Sequence, residues 1–137
     1  MATAKTTYLG TLRCTNVHLQ SGTNIFTDAP TDNQGKGAAF SPTDLCALSL
    51  TTCIITTMGI FAQNHGIEIL SATGDTTKHM AADPRRIARI EVSIELQLGE
   101  GQKENTQEVL QRVAHTCPVA RSLHPDIAQR VDITFLP

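Results

Sequence analysis

The spacing of apolar positions changes along the chain, and each change marks an element. Residues 6–19, "TTYLGTLRCTNVHL", alternate imperfectly and predict one or two strands. "SGTN" turns the chain, and "IFTDA" predicts a short following strand. The run "PTDNQGKGAAF" holds Pro30 and two glycines and is expected to be a mobile loop. The clearest helix follows, in "SPTDLCALSLTTCIITTMGIFAQNHG". Ser41 can cap it, Pro42 suits its first turn, and Asp44 stands three after Ser41 as a variant capping box. Gly66 marks its far end. Leu45, Leu48, Thr52 and Ile55 share one face, and Cys46, Leu50, Cys53, Thr57 and Ile60 share the neighbouring one. A helix apolar nearly all round is central rather than superficial. Its threonines lower helix propensity, so packing must hold it.

Two strands come next, "IEILSATGDTTKHM" loosely and "RRIARIEVSIELQL" with Ile90, Val92, Ile94 and Leu96 facing inward. "AADP" between them suits a hairpin-like turn. "GEGQKEN" predicts a loop, and residues 105–117 a second helix with Val109, Leu110, Val113, Ala114 and Cys117 on one side. Pro118 interrupts it, "ARSLH" adds a short turn, and "RVDITFL" closes as a strand. The predicted order is β-β-α-β-β-α-β, a single α+β domain over residues 1–137 without repeats.

Composition narrows the function. The chain of 137 residues is 40% apolar and 18% charged, enough for a packed core. With one Tyr, four Phe and no Trp, that core rests on Leu, Ile, Val, Ala and Met. A net charge of −2 argues against a nucleic-acid partner, which requires a basic face. The start "MATAKTTYLG" is unlike a signal peptide, and no run approaches the ~20 apolar residues of a membrane span. The expectation is a cytoplasmic protein, where persistent structural disulfides are rare.

Cysteine is the chemistry-bearing residue. Cys14, Cys46, Cys53 and Cys117 are widely spaced and form no CxxC pair, so a structural zinc site is poorly supported. Cys46 and Cys53 share a helix face but differ by about 10.5 Å in rise, too far for a disulfide. Cys53 and Cys117 each fall on the apolar stripe of a helix. They are either inert core thiols or one redox site. A reactive Cys53 needs help. It lies too deep in its helix to use the N-terminal dipole, and burial alone keeps a thiol protonated. A cation or hydrogen-bond donors must supply the thiolate, and Arg13, Arg85, Arg86 and Arg121 are the candidates.

The segments "GKGAAFSPTDLCALSLTTC" and "HTCPVARSL" resemble the OsmC/Ohr family of thiol-dependent peroxidases. The order of the glycine-rich loop, the proline and the two cysteines is similar, with Pro42 eleven residues before Cys53 and Cys117 sixty-four after it. The resemblance implies an OsmC-like α+β fold in an intertwined homodimer, with two central helices wrapped by sheets. It implies that Cys53 is the peroxidatic cysteine, that Cys117 resolves its sulfenic acid as a disulfide, and that Arg13 holds the thiolate. It implies an organic or fatty-acyl hydroperoxide as substrate and a dithiol reductant, either small or of the lipoyl or thioredoxin type. No metal, haem or flavin is required.

One position departs from the family pattern. Where characterised members carry a glutamate that orients the arginine, this chain has Thr43, with an acid one place later at Asp44. A hydroxyl cannot form the bidentate clamp of a carboxylate. Arg13 is therefore expected to be less rigidly held. The alternative is a non-catalytic module that binds a small hydrophobic or oxidised lipid ligand. Other candidates are weaker. His115 lies two before Cys117 and so does not face it on a helix. His18 with Asp28 and Asp32 suggests loop and turn chemistry more than a metal. "DPRRIAR" could hold an anion or stand as a solvated strand edge.

Overall fold

The computed structural model describes residues 1–137. It contains two compact units, Met1–Cys46 and Ala47–Pro137, with one helix running across the boundary.

The N-terminal unit is an antiparallel meander of β1 (Ala4–Gly10), β2 (Arg13–His18) and β3 (Asn24–Asp28). The stretch at residues 6–19 is two strands because the chain reverses at Gly10, Thr11 and Leu12, all with positive φ. Thr11 and Leu12 are not turn-forming residues by type, so the single Gly10 is the one local signal of the reversal. In the β2–β3 register Arg13 lies directly opposite Asp28, and Thr15 opposite Phe26.

The segment after β3 is more structured than a loop. It makes a 3-10 turn at Thr31–Asn33 and folds back on the strand end. Asn33 and Gly35 donate their N–H groups to Pro30 O, Gly37 to Ala29 O, and Asp28 to Phe40 O. Gly35 is required by contact: a Cβ there would stand 1.7 Å from Ala29 O.

α1 (Pro42–Asn64) starts as a reciprocal capping box. Ser41 Oγ accepts the Asp44 N–H at 3.0 Å, and Asp44 Oδ2 accepts the Ser41 N–H at 3.0 Å. Gly66 (φ +66°) ends it, with the Ile67 N–H on Ala62 O at 2.9 Å, a Schellman closure. Its buried stripe is Ala47, Leu50, Thr51, Ile54, Met58 and Ala62, whereas Thr52 and Ile60 are exposed. That stripe cuts across the two expected faces. The helix is 23 residues long and apolar enough to cross a membrane by length and composition alone, which corrects the expectation that nothing here approaches a span.

In the C-terminal unit β4 (Ile69–Ala81) and β5 (Arg86–Leu98) form a long hairpin, closed at a cis Asp83–Pro84 bond. β6 (Ala128–Leu136) lies parallel to β5, leaving β5 in the middle of the sheet. Its inward residues Ile90, Val92, Ile94 and Leu96 are buried, as their alternation predicts, and join Leu50, Ile54, Met58 and Leu110 in the core. The helix packs tightly at Gly74, where a Cβ would meet Thr51 Cγ2 at 2.7 Å. One turn of strand away, the Thr51 and Thr76 hydroxyls hydrogen-bond.

The parallel return from β5 carries α2 (Thr106–Ala114) and α3 (Pro118–Ser122). The second helix thus stops at Ala114, three residues before its expected end. The element order is β-β-β-α-β-β-α-α-β, an α+β fold whose extra strand and extra helix come from Gly10 and Pro118.

Candidate active site

Cys117 is not on the stripe of α2. It is the N-cap of α3, in extended conformation (φ −63°, ψ 135°), with Pro118 at the first helical position. Its Sγ accepts the Ala120 N–H at 3.2 Å. The sulfur is fully buried.

Cys53 faces this cap from α1 and is half-buried. Burial works against its thiolate. The Val119 backbone N–H, the Cys117 thiol and the Thr57 hydroxyl together outweigh it, and the Cys53 pKa lies below the ordinary thiol value. Thr57 is one turn along the same helix, its Oγ1 3.9 Å from the Cys53 sulfur. Cys117 moves the other way. Burial pushes its thiol up, and so does the adjacent Cys53, against the Ala120 N–H. The two thiols are neighbours whose pKa values are pushed apart, Cys53 down and Cys117 up, so Cys53 is the more readily ionised of the pair.

The sequence signals for these donors were present but indirect. Thr57 stands four after Cys53, where a helix brings side chains together. The N–H groups of Val119 and Ala120 point at the sulfurs because the cysteine–proline pair starts a helix there.

Arg13 lies in the N-terminal unit, and its carboxylate partner is Asp28. Nε meets Oδ1 at 2.7 Å and Nη2 meets Oδ2 at 2.9 Å, a side-on bidentate pair. The guanidinium also lies over the Phe26 ring, 5.5 Å from its centroid. This corrects the expectation of a loosely held arginine. Asp44 oxygen is instead engaged at the helix cap, and Thr43 Oγ1 is 3.2 Å from Ser41 Oγ. His18 Nδ1 stands 2.6 Å from Ser21 Oγ, in the turn chemistry expected of it.

The remaining candidates fall elsewhere. His115 is the exposed C-cap of α2. The "DPRRIAR" segment runs from the β4–β5 turn into the start of β5, which pairs there with β4 alone until Arg89 meets Ala128 of β6. Arg89 faces outward from the central strand, with Nε 3.2 Å from Glu91 Oε1, and His79 Nε2 is 3.3 Å from Glu91 Oε2. A cleft of about 610 Å³ opens beside Phe61, His65, Lys103 and Val109, and neither Cys53 nor Cys117 lines it.

The OsmC-like protein family model matches residues 35–131, taking in both cysteines. A candidate osmotic stress induced and detoxification response protein from Psychrobacter arcticus is similar at 50% identity, with a TM-score of 0.88 over 97% of this chain and 96% of that one. An organic hydroperoxide resistance protein from Legionella pneumophila shares the fold at 18% identity, with a TM-score of 0.70 over 96% and 94% of the two chains. The organic hydroperoxide resistance protein OhrB of Bacillus subtilis shares it at 16% identity, with a TM-score of 0.61 over 97% and 98%. No curated protein matches the chain. A family model over most of the chain and a half-identical relative over nearly all of it place this protein in the OsmC family.

Proposed function

We propose that the protein is a thiol-dependent peroxidase that reduces organic or fatty-acyl hydroperoxides. The observation that carries this reading is the meeting of two unlike thiols, Cys53 on α1 with its pKa lowered and Cys117 at the cap of α3 with its pKa raised. Inert core cysteines have no need of that asymmetry.

The Cys53 thiolate attacks the terminal peroxide oxygen. The O–O bond breaks, the alcohol leaves with a proton taken from the medium, and Cys53 becomes a sulfenic acid. Cys117 sulfur then attacks Cys53 sulfur, water leaves, and a disulfide forms. A dithiol reductant restores both thiols by exchange, itself becoming a disulfide. Arg13 supplies the positive charge that holds the thiolate and the departing oxygen. That role is carried over from the family resemblance. The working unit is an intertwined cytoplasmic homodimer. Tyr8, Leu9, Leu12, Ile25, Phe40 and Ile60 are exposed apolar side chains on a single chain, and a second copy would cover them.

One equivalent of cumene hydroperoxide is expected to consume two thiols per chain and yield a Cys53–Cys117 link on peptide mapping, with Cys14 and Cys46 still reduced. Four free thiols after that treatment would reject the reading in favour of the ligand-binding alternative.

A further inference from the structure

We infer that Asp28 is a positioning residue for Arg13, the activating cation of the proposed mechanism. The inference rests on that mechanism and adds to it the residue that sets the arginine in place.

An acid directly after the helix-start proline is absent here, since the position is Thr43. The β2–β3 register supplies one from another part of the chain. Arg13 and Asp28 are direct cross-strand partners, so their side chains leave the sheet on one face. The side-on grip through Nε and Nη2 fixes the guanidinium plane, and Phe26, two residues from Asp28 on that face, lies beneath it. A guanidinium has five N–H donors. The grip uses two of them and leaves three for a second acceptor.

Asp28 is itself immobilised. Its side chain is 2% exposed, against 34% for Arg13. Its N–H donates to Phe40 O at 3.1 Å, and the Ala38 N–H donates to its carboxylate. The loop that buries it depends on Gly35, whose missing Cβ lets Ala29 O approach. A surface ion pair formed by chance would have neither the buried carboxylate nor the built loop. The buried partner is the fixed one, and the half-exposed guanidinium is what it presents.

Charge and orientation make opposite demands, which gives the test its sign. Through charge alone, replacing Asp28 by asparagine removes an anion and should lower the Cys53 midpoint or leave it unchanged. Through positioning, the guanidinium gains freedom and the midpoint should rise. The measurement is the pH dependence of iodoacetamide alkylation at Cys53, with the rate of cumene hydroperoxide reduction by dithiothreitol alongside. Asp28→Asn is expected to raise the midpoint and slow peroxide reduction about fivefold or more. Combined with Arg13→Ala it should cost no more than Arg13→Ala alone, because the two act as one unit. Arg13→Lys keeps the charge, loses the planar fork, and should behave like Asp28→Asn. It serves as the test if the asparagine variant fails to fold. A raised midpoint for Arg13→Ala with an unchanged or lowered one for Asp28→Asn overturns the positioning role and leaves the peroxidase mechanism standing. A wild-type profile for Arg13→Ala overturns both the positioning role and the assignment of Arg13, while the thiol pair remains testable by its disulfide.

Discussion

Replacing Cys117 by alanine removes one of the three donors around the Cys53 sulfur and leaves the Val119 N–H and the Thr57 hydroxyl. A hydrogen bond to a charged group contributes about 1.5–3 kcal/mol. A tenfold change corresponds to about 1.36 kcal/mol, so a full-strength loss would raise the Cys53 midpoint and cut its thiolate fraction below that midpoint by about 10- to 100-fold. Two features reduce that figure. A thiol is a weak donor. Cys53 is also half-buried, so water replaces part of what is lost. The expected fall in thiolate fraction is about threefold to tenfold.

Alkylation at a fixed pH below the midpoint follows the thiolate fraction, so it is expected to slow by the same factor, about threefold to tenfold. Mass spectrometry of the Cys53 peptide gives the rate at that residue without interference from Cys14 and Cys46. Buried Cys117 contributes little to the wild-type signal. The alanine variant also strips the Ala120 N–H of its acceptor, so its melting temperature must be recorded beside the rates. Cys117→Ser restores both a donor and an acceptor and is expected to fall between alanine and wild type. An alanine variant that folds and alkylates with the wild-type pH profile would refute the view that the Cys117 thiol supports the Cys53 thiolate.

Sedimentation equilibrium at micromolar protein is expected to return about 30 kDa, twice the 14.8 kDa chain, and a single species of chain mass would contradict the dimer. Gly35→Ala forces a methyl group into Ala29 O, so it should displace the loop over Asp28 and lower the melting temperature by roughly 5–10 °C. It should also raise the Cys53 midpoint in the direction expected for Asp28→Asn. An unchanged melting temperature would mean that the loop relaxes without cost.

The elements with strong local signals were legible in the sequence. Ser41, Pro42, Asp44 and Gly66 delimit α1 through short-range hydrogen bonds, and the alternation Ile90–Leu96 names the buried face of β5. The two cysteines were readable as candidates, but their meeting was not. Cys117 reaches Cys53 from a helix cap rather than a helix stripe, and periodicity has no signal for that. Whether residues 6–19 held one strand or two stayed open because Thr11 and Leu12 adopt positive φ, which nothing in their side chains announces. Asp28 was hidden for a different reason. Its partner is set by cross-strand register between positions fifteen residues apart, and register depends on turns that the sequence specifies weakly.

The length and apolarity of α1 also bear on how the protein is made. Synthesis runs from the N-terminus, so the helix is complete at Asn64 well before the hairpin that packs on it is complete at Leu98. At about 5–20 residues per second, the 34 residues between those points (98 − 64) take roughly 2–7 s to add. During that interval the nascent chain carries an uncovered segment with the length and composition of a membrane span. Threonines at 51, 52, 56 and 57 give that segment hydroxyls that can bond back to the helix or to water, which lowers its tendency to leave water for lipid or for another nascent chain. The residues that weaken α1 as an isolated helix thereby protect it while its sheet is still being synthesised.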